Sequence, residues 1–455
     1  MRILILSLSG VFLFACGDDD DGGTITPEPT GEGEGEESSE NGEGEASGAT
    51  AEPGSANTES ESDGMPSSLS RGLLLAYAQF EVEDGQVTAR PGPARLEILR
   101  RENGEWQTDA VEDDTSNVFH KAMVYEGEGH SGILTLGGTG AQVKLWRNSP
   151  EGWTSTTLWE EEFGGRFNRM RDAEIADIYG DGKPSIAVGT HDQGVVAVLR
   201  PNDEGFEVVR LDRQENIFVH EIEIGDLNGD QTLEVYATPS EPNTLDGGEQ
   251  HGEVVRYIPR TEGERTVVAD LGNRHAKEIY VGDVDGDGRD ELYVAVEALT
   301  EGEGSSVSIV EPVEIRRYDA DTDPTEGAVV ATINDRLCRF LTVGDFDGDG
   351  KKEMIAAAFR SGVWLLRPGR DPRGEWSVES VDRDSSGFEH AALATDLDGD
   401  GTDELYVASD EQGELRRYVW RNGRPDSEVI HRRELPRSMM TWNIMPVPVT
   451  MLAID

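Results

Sequence analysis

Asp283-Val284-Asp285-Gly286-Asp287-Gly288-Arg289-Asp290-Glu291 runs directly into Leu292-Tyr293-Val294-Ala295. Oxygen-bearing side chains stand at positions 1, 3, 5 and 9, and glycines stand where the chain must turn sharply. This is the layout of a cation-binding loop, shortened to nine residues and leading into a strand instead of a helix. The unit returns at Asp345 (DFDGDGKKEMIAA) and Asp396 (DLDGDGTDELYVA), and with Asn in third place at Asp226 (DLNGDQTLEVYA). Side chains at the first three ligand positions converge on one ion only if the backbone curls tightly. Gly286 and Gly288 permit that through positive φ.

The ligand sets follow position by position. They are Asp226, Asn228, Asp230 and Glu234; Asp283, Asp285, Asp287 and Glu291; Asp345, Asp347, Asp349 and Glu353; Asp396, Asp398, Asp400 and Glu404. The seventh position offers a backbone carbonyl, so Thr232, Arg289, Lys351 and Thr402 are tolerated there. A weaker copy keeps only Asp177 and Asp181, because Tyr179 and Ser185 replace the other ligands; a further one, around Glu126 and Glu128, has lost the pattern. Hard, flexible, all-oxygen coordination favours calcium over magnesium, which holds a tighter octahedron and retains water. Three to five structural Ca2+ ions are expected. A shell filled by protein oxygens leaves no place for substrate, so a catalytic metal is not expected.

Outward from the loops the chain repeats. Loop starts at 177, 226, 283, 345 and 396 are 49, 57, 62 and 51 residues apart. A strand such as His220–Ile224 enters a loop and one such as Leu292–Val296 leaves it. A third follows (Val254–Tyr257, Leu415–Tyr418), then a weaker fourth (Thr266–Ala269). Four short strands in about 50 residues are the signature of a propeller blade. Leu73–Tyr77 reads as a second strand with no first, and Trp442–Val447 as a first strand with nothing after it. Pairing them makes a composite blade and leaves no open edge. The fold class expected is all-β: a β-propeller of seven four-stranded blades over residues 71–455, closed by the N- and C-terminal strands. Six and eight blades are the alternatives, because the first unit and the closing blade rest on weak copies.

The DxDGDGxxE loops resemble those of the FG-GAP or VCBS repeat proteins, which share the propeller of integrin alpha subunits. The resemblance covers roughly residues 72–455. It implies metal loops on the lower face, joining the first and second strands of a blade, and ligands on the opposite face.

The N-terminus reads differently. Arg2 precedes an apolar run, Ile3–Phe14, too short to span a bilayer. Leu13-Phe14-Ala15-Cys16-Gly17 resembles the lipobox of bacterial lipoproteins, which implies a signal peptide over 1–15 and acylation of Cys16. Residues 16–70 are then the anchor and a tether: from Gly17 to Gly64 there are 16 acids and no base, with almost nothing to bury. A lipid-anchored protein of the bacterial envelope, exported to the outer membrane or cell surface, is expected, touching membrane only through Cys16. Cys338 is the one other cysteine, so no internal disulfide staples the fold. The 92 acids against 40 bases, net -52, exclude nucleic acid and anionic lipid headgroups as partners. A monomer is expected.

Six residues before each loop start stands Arg171, His220, Lys277, Arg339 or His390, and His120 fits with a two-residue deletion. If first strands are innermost, these ring the upper mouth of the channel. Such a ring on an acidic protein points to an anionic group on a glycan or protein ligand, with histidines that charge as pH falls. The alternative is local salt bridging, since Asp172, Glu221 and Glu278 follow immediately. Long linkers at Gln79–Pro93, Pro239–Gly252 and Ala298–Pro312 should reach this face, with His191 and His251. No nucleophile elbow, HExxH or dinucleotide fingerprint occurs. A binding or adhesion module is therefore expected before an enzyme, the alternative being a lyase or hydrolase of acidic polysaccharides at the upper face.

Overall fold

The computed structural model describes residues 65–165, 168–242, 249–261, 265–302 and 307–452. The expected signal peptide, Cys16 and nearly all of the acidic tether lie outside these residues. Among the described residues no helix is long and apolar enough to cross a membrane.

Among the described residues seven antiparallel sheets form the blades, six of four strands and one of four with a fifth short strand added, and a separate two-stranded hairpin stands beside them. The first complete blade in the chain runs Phe119–Gly127, His130–Gly137, Ala141–Ser149 and Gly152–Glu161. Five more follow with inner strands Met170–Ala176, Phe218–Gly225, Ala276–Gly282, Cys338–Gly344 and Ala392–Thr395; we number these six blades 1 to 6. Blade 7 is composite. Its inner strand is Met439–Pro448, and its second is Arg71–Glu83, paired in register Leu73↔Pro446 and Leu75↔Ile444. Ala94–Glu102 and Glu105–Asp113 complete it. Seven blades and closure by the terminal strands thus stand as the sequence suggests, because each end carries a strand whose apolar residues have no partner nearer in the chain.

Second strands are the buried heart of each blade. Ser185–Thr190, Glu291–Val296, Glu353–Ala358 and Glu404–Ser409 are buried at every position. Both of their faces meet a neighbouring blade, so they read as continuous apolar runs and not as alternation. The core is accordingly a set of layers between blades. Leu134 and Leu145 of blade 1 pack with Ile186 and Leu199 of blade 2, and Ile355 and Leu365 of blade 5 pack with Leu405 and Val407 of blade 6. Outer strands such as Ser377–Asp382 are largely exposed. Cys338 is a free, buried thiol.

Two of the three long linkers carry paired strands among the described residues. Gln79–Pro93 is a hairpin that prolongs Arg71–Glu83 and pairs it with Gln86–Pro91. Ala298–Pro312 carries a second hairpin, Leu299–Glu301 with Ser308–Glu311. The middle of Pro239–Gly252 lies outside the described residues.

Candidate functional site

Two regions carry chemistry, and they sit at opposite ends of the inner strands. Lys277 opens the strand Ala276–Gly282 and Asp283 follows its end, six residues or roughly 20 Å away.

At the loop end the first aspartate folds each loop upon itself. One Asp283 oxygen accepts from Gly288 N at 2.9 Å, and Asp345 and Asp396 accept from Gly350 N and Gly401 N at 2.8 and 3.0 Å. Gly286 and Gly288 hold φ of 78° and 88°, as the tight curl requires. At Asp226 the missing glycine is Gln231, which takes φ 67° and still donates to Asp226 at 2.6 Å.

Carboxylate oxygens of Asp283, Asp285, Asp287 and Glu291 lie within 4.8 Å of one another, as do those of Asp345, Asp347 and Glu353, and of Asp396, Asp398 and Glu404. Each group could hold a metal ion. Asp349 and Asp400 stand outside these groups, accepting from Lys351 N at 2.9 Å and Thr402 N at 2.8 Å. The loops at Asp226 and Asp177 bring no such group together among the described residues. In the latter, Arg200 lies 3.0 Å from Asp181 and covers the Tyr179 ring. Glu126 and Glu128 are exposed.

The donor sets fit a hard cation: every converging atom is an oxygen, and the closing glutamate is buried. Burial pushes Glu291, Glu353 and Glu404 up to about 7, even against the pull of a nearby positive charge.

The chain itself supplies one such charge per loop, from the third strand of the same blade. Arg317 lies 2.7 Å from Asp285 and 3.3 Å from Glu291. Arg367 lies 2.8 Å from Asp347 and 2.5 Å from Glu353. Arg417 lies 3.2 Å from Asp398 and 2.7 Å from Glu404, and Arg256 lies 3.1 Å from Glu234. The sequence reading did not single these arginines out. Their signal is an Arg before Tyr in the third strand, at Arg256-Tyr257, Arg317-Tyr318 and Arg417-Tyr418.

The eighth loop position links blades. Asp290 accepts from Asp226 N of the preceding loop at 2.8 Å, and Asp403 accepts from Asp345 N at 2.9 Å. Lys352 reaches Asp283 O at 2.9 Å. The glycine before a loop makes room for this contact: a Cβ on Gly344 would lie 2.9 Å from the Asp403 carboxylate. Asp403→Ala should therefore destabilise the fold by about 1.5–3 kcal/mol, the range for a hydrogen bond to a charged group. Denaturant unfolding measures this, with Asp400→Ala, which makes no link between blades, as the comparison.

A cavity of about 190 Å3 is lined by the inner strands of all seven blades and so lies on the propeller axis, running from the ring residues at the far end of the strands down to Glu223 and Val343. The inner strands place their ring residues by one repeated device. The ladder to the second strand slips beside Arg171, His220, Lys277, Arg339, His120 and Trp442. Such bulges re-aim the side chains they carry. His120, Arg171, Lys277 and Arg339 line the cavity. His220 packs edge-on to His191, 5.2 Å between centroids.

His390 departs from the ring. It precedes its strand at φ 58°, fully buried, with Nδ1 on Ala358 O at 2.6 Å and Nε2 on Ser385 Oγ at 2.7 Å. Glu389 lines the cavity instead.

The basic residues here are not free charges. Arg339 pairs with Glu297 and Glu389 at 3.1 and 3.0 Å, and Arg171 lies 3.5 Å from Glu389. Burial, with Arg171 and Arg169 nearby, holds His120 well below the usual histidine range; burial does the same for His220 beside Lys277. His191 falls to about 3, chiefly by burial. Burial thus shifts these rings away from charging in mild acid, opposite to the direction in which a pH-charged ring would need them to move. His251 is exposed and holds Gly272 O.

One step below the ring the lining changes sign. Asp172, Glu221 and Glu278 follow the ring residues of blades 2 to 4, with Glu223 below them. Lys121 of blade 1 lies 3.0 Å from Asp172 and 2.5 Å from Glu174. Sequence reading took these acids only as local partners of the ring. That they form one wall follows from residues about 50 apart meeting on the axis.

Residues 345–407 match the model of the FG-GAP-like repeat family. No curated protein matches the sequence. Among solved structures, an Agrocybe aegerita lectin, described as recognising non-reducing terminal N-acetylglucosamine, aligns with a TM-score of 0.49 at 14% identity, over 83% of this chain and 95% of the other. A periplasmic gluconolactonase of Pseudomonas aeruginosa aligns at 0.47 and 13%, over 83% and 99%.

Proposed function

We propose that this FG-GAP-like repeat propeller is a calcium-stapled binding module of the bacterial envelope, held out from the membrane by the acidic tether behind a lipidated Cys16. The chain would present its axial cavity to a glycan or protein ligand. One observation carries the reading: the cation-binding groups sit in the loops beyond the inner strands, and none of their residues lines the axial cavity between those strands. Calcium on Asp283, Asp285, Asp287 and Glu291, and on the groups around Asp345 and Asp396, would therefore set blade geometry without touching a ligand. The loops at Asp226 and Asp177 are the weaker candidates for a fourth and fifth ion.

The cavity is smaller than the ~300–1,000 Å3 usual for drug-sized ligands, which suits a terminal group better than the interior of a polymer. A basic ring whose charges are met by Glu297 and Glu389 gives little support to an anionic ligand. The test is a glycan and peptide array run on calcium-loaded protein beside a turnover screen on uronate polymers. Retention without product is expected. Product release from a uronate polymer would replace the binding module by a lyase or hydrolase.

A further inference from the structure

The axial cavity is two-sided. Blades 2 to 4 give it carboxylates: Asp172, Glu221, Glu223 and Glu278. Blades 5 to 7 give it hydrocarbon: Leu341, Val343, Leu393, Ile444 and Met445. Lys121 is the only cation below the ring residues on the lining, and its ammonium is already held by Asp172 and Glu174. Asp172 also accepts from Ile222 N at 2.8 Å, and Glu278 accepts from Leu341 N at 2.9 Å. Glu221 and Glu223 keep partial exposure, and among the described residues neither carboxylate has an ion-pair or hydrogen-bond partner. Burial and the neighbouring carboxylates push both well above the usual glutamate range, the signature of negative charge short of a counter-ion.

A second set of atoms in the same lining, from blades 1 and 7, points the same way. His120, Trp442 and Asn443 line the cavity and are buried, yet His120 Nε2, Trp442 Nε1 and Asn443 Oδ1 have no hydrogen-bond partner. His120 Nδ1 faces Met170 O at 2.8 Å and must carry the proton there, which leaves Nε2 a bare acceptor. Two of the three unsatisfied atoms are thus acceptors. Buried polar atoms without partners are rare in folded proteins, and those that line a cavity are open to a water, an ion or a ligand within it.

We propose that the cavity binds a small organic cation: a primary ammonium on a short apolar stem. The ammonium faces Glu221 and Glu223, with the acceptors of Asn443 and His120 within the same lining, and the stem lies on the Leu341, Leu393 and Ile444 side. A bare metal ion would leave that hydrocarbon half unused, and an anion would meet the acid wall. This assignment rests on reading the axial cavity as the ligand site, and it names the ligand's chemistry.

The test uses calcium-saturated protein and n-butylammonium chloride, with butyrate and n-butanol as partners of equal stem and different charge. Calorimetry should find one butylammonium bound per chain and neither of the others. Glu221→Gln with Glu223→Gln, which removes charge without changing shape, should weaken that binding about tenfold or more, as loss of charge-assisted hydrogen bonds does. Relief of like-charge repulsion should leave this variant at least as thermostable as the parent. Asn443→Leu should weaken binding independently. Butyrate binding in place of butylammonium, unchanged affinity in the double variant, or no binding at all overturns the proposal. Loss of one calcium equivalent in the double variant also overturns it, in favour of a metal. An array ligand retained equally by parent and double variant would overturn the ammonium assignment while leaving the binding module standing.

Discussion

Calcium at a hundred times its dissociation constant should stabilise the folded chain by about 2.7 kcal/mol per loop, or about 8 kcal/mol over three loops. The three are those around Asp283, Asp345 and Asp396, where the carboxylates converge. With about 2.1 cal/mol/K of unfolding entropy per residue, a domain of this size should gain roughly 3 °C in Tm per loop. Thermal unfolding in calcium and in EDTA measures it, and an unchanged Tm removes calcium from these loops. Glu404→Gln should delete one increment and leave the other two.

The arginines temper this effect. Arg317, Arg367 and Arg417 already neutralise part of each group, so a calcium ion would compete with an internal cation and would not enter bare repulsion. Arg317→Leu should therefore lower the Tm in EDTA more than in calcium. An equal loss in both would mean that guanidinium and ion do not compete for Asp285 and Glu291.

The second large effect belongs to Arg339. Its guanidinium is buried between Glu297 and Glu389, which are buried too. Arg339→Met keeps the stem but leaves Glu297 to His275 and Glu389 to the more distant Arg171, and breaking such a buried pair costs about 3–5 kcal/mol. The loss should depend on pH in a definite direction. Burial alone would raise Glu297, but Arg339, Lys277 and His275 more than offset it and hold that carboxyl well below the usual range. A depressed carboxyl stabilises the fold above its unfolded pKa, and that contribution fades as pH falls below it. The gap between parent and variant should thus be widest near neutrality and narrow below about pH 4.3. Urea unfolding at pH 7 and pH 4 checks this; a gap constant with pH would mean that packing, not charge, is what Arg339 supplies.

How much of this was legible in advance divides along the chain distance of the contacts. The turn of each loop was legible, but not that Asp349 and Asp400 would stand outside the converging groups or that the loop at Asp226 would form none among the described residues. The ligand spacing, the glycines at positive φ and the strand that follows are properties of nine to thirteen consecutive residues. The blade count was legible because every second strand, buried on both faces, prints a continuous apolar run, and because Leu73–Tyr77 and Trp442–Val447 each lacked a partner. The ring was half legible. Counting back from the loops found Arg171, Lys277 and Arg339, but it could not foresee that His390 turns away at φ 58° and that Glu389 takes its place.

By itself, then, the sequence determined what is local and periodic: an all-β repeat, seven blades and oxygen-lined loops at one end of the inner strands. Only the tertiary structure decided what those ends mean. Arg339 meets Glu389 across 50 residues, Lys121 meets Glu174 across 53, and Asp403 meets Asp345 across 58. Blades 1 to 6 each bring one or two charged residues to the axis and blade 7 brings none, and their balance exists only where all seven blades converge. A row of bases in the sequence becomes a set of neutralised pairs, and the unbalanced charge is the acid wall directly beneath them.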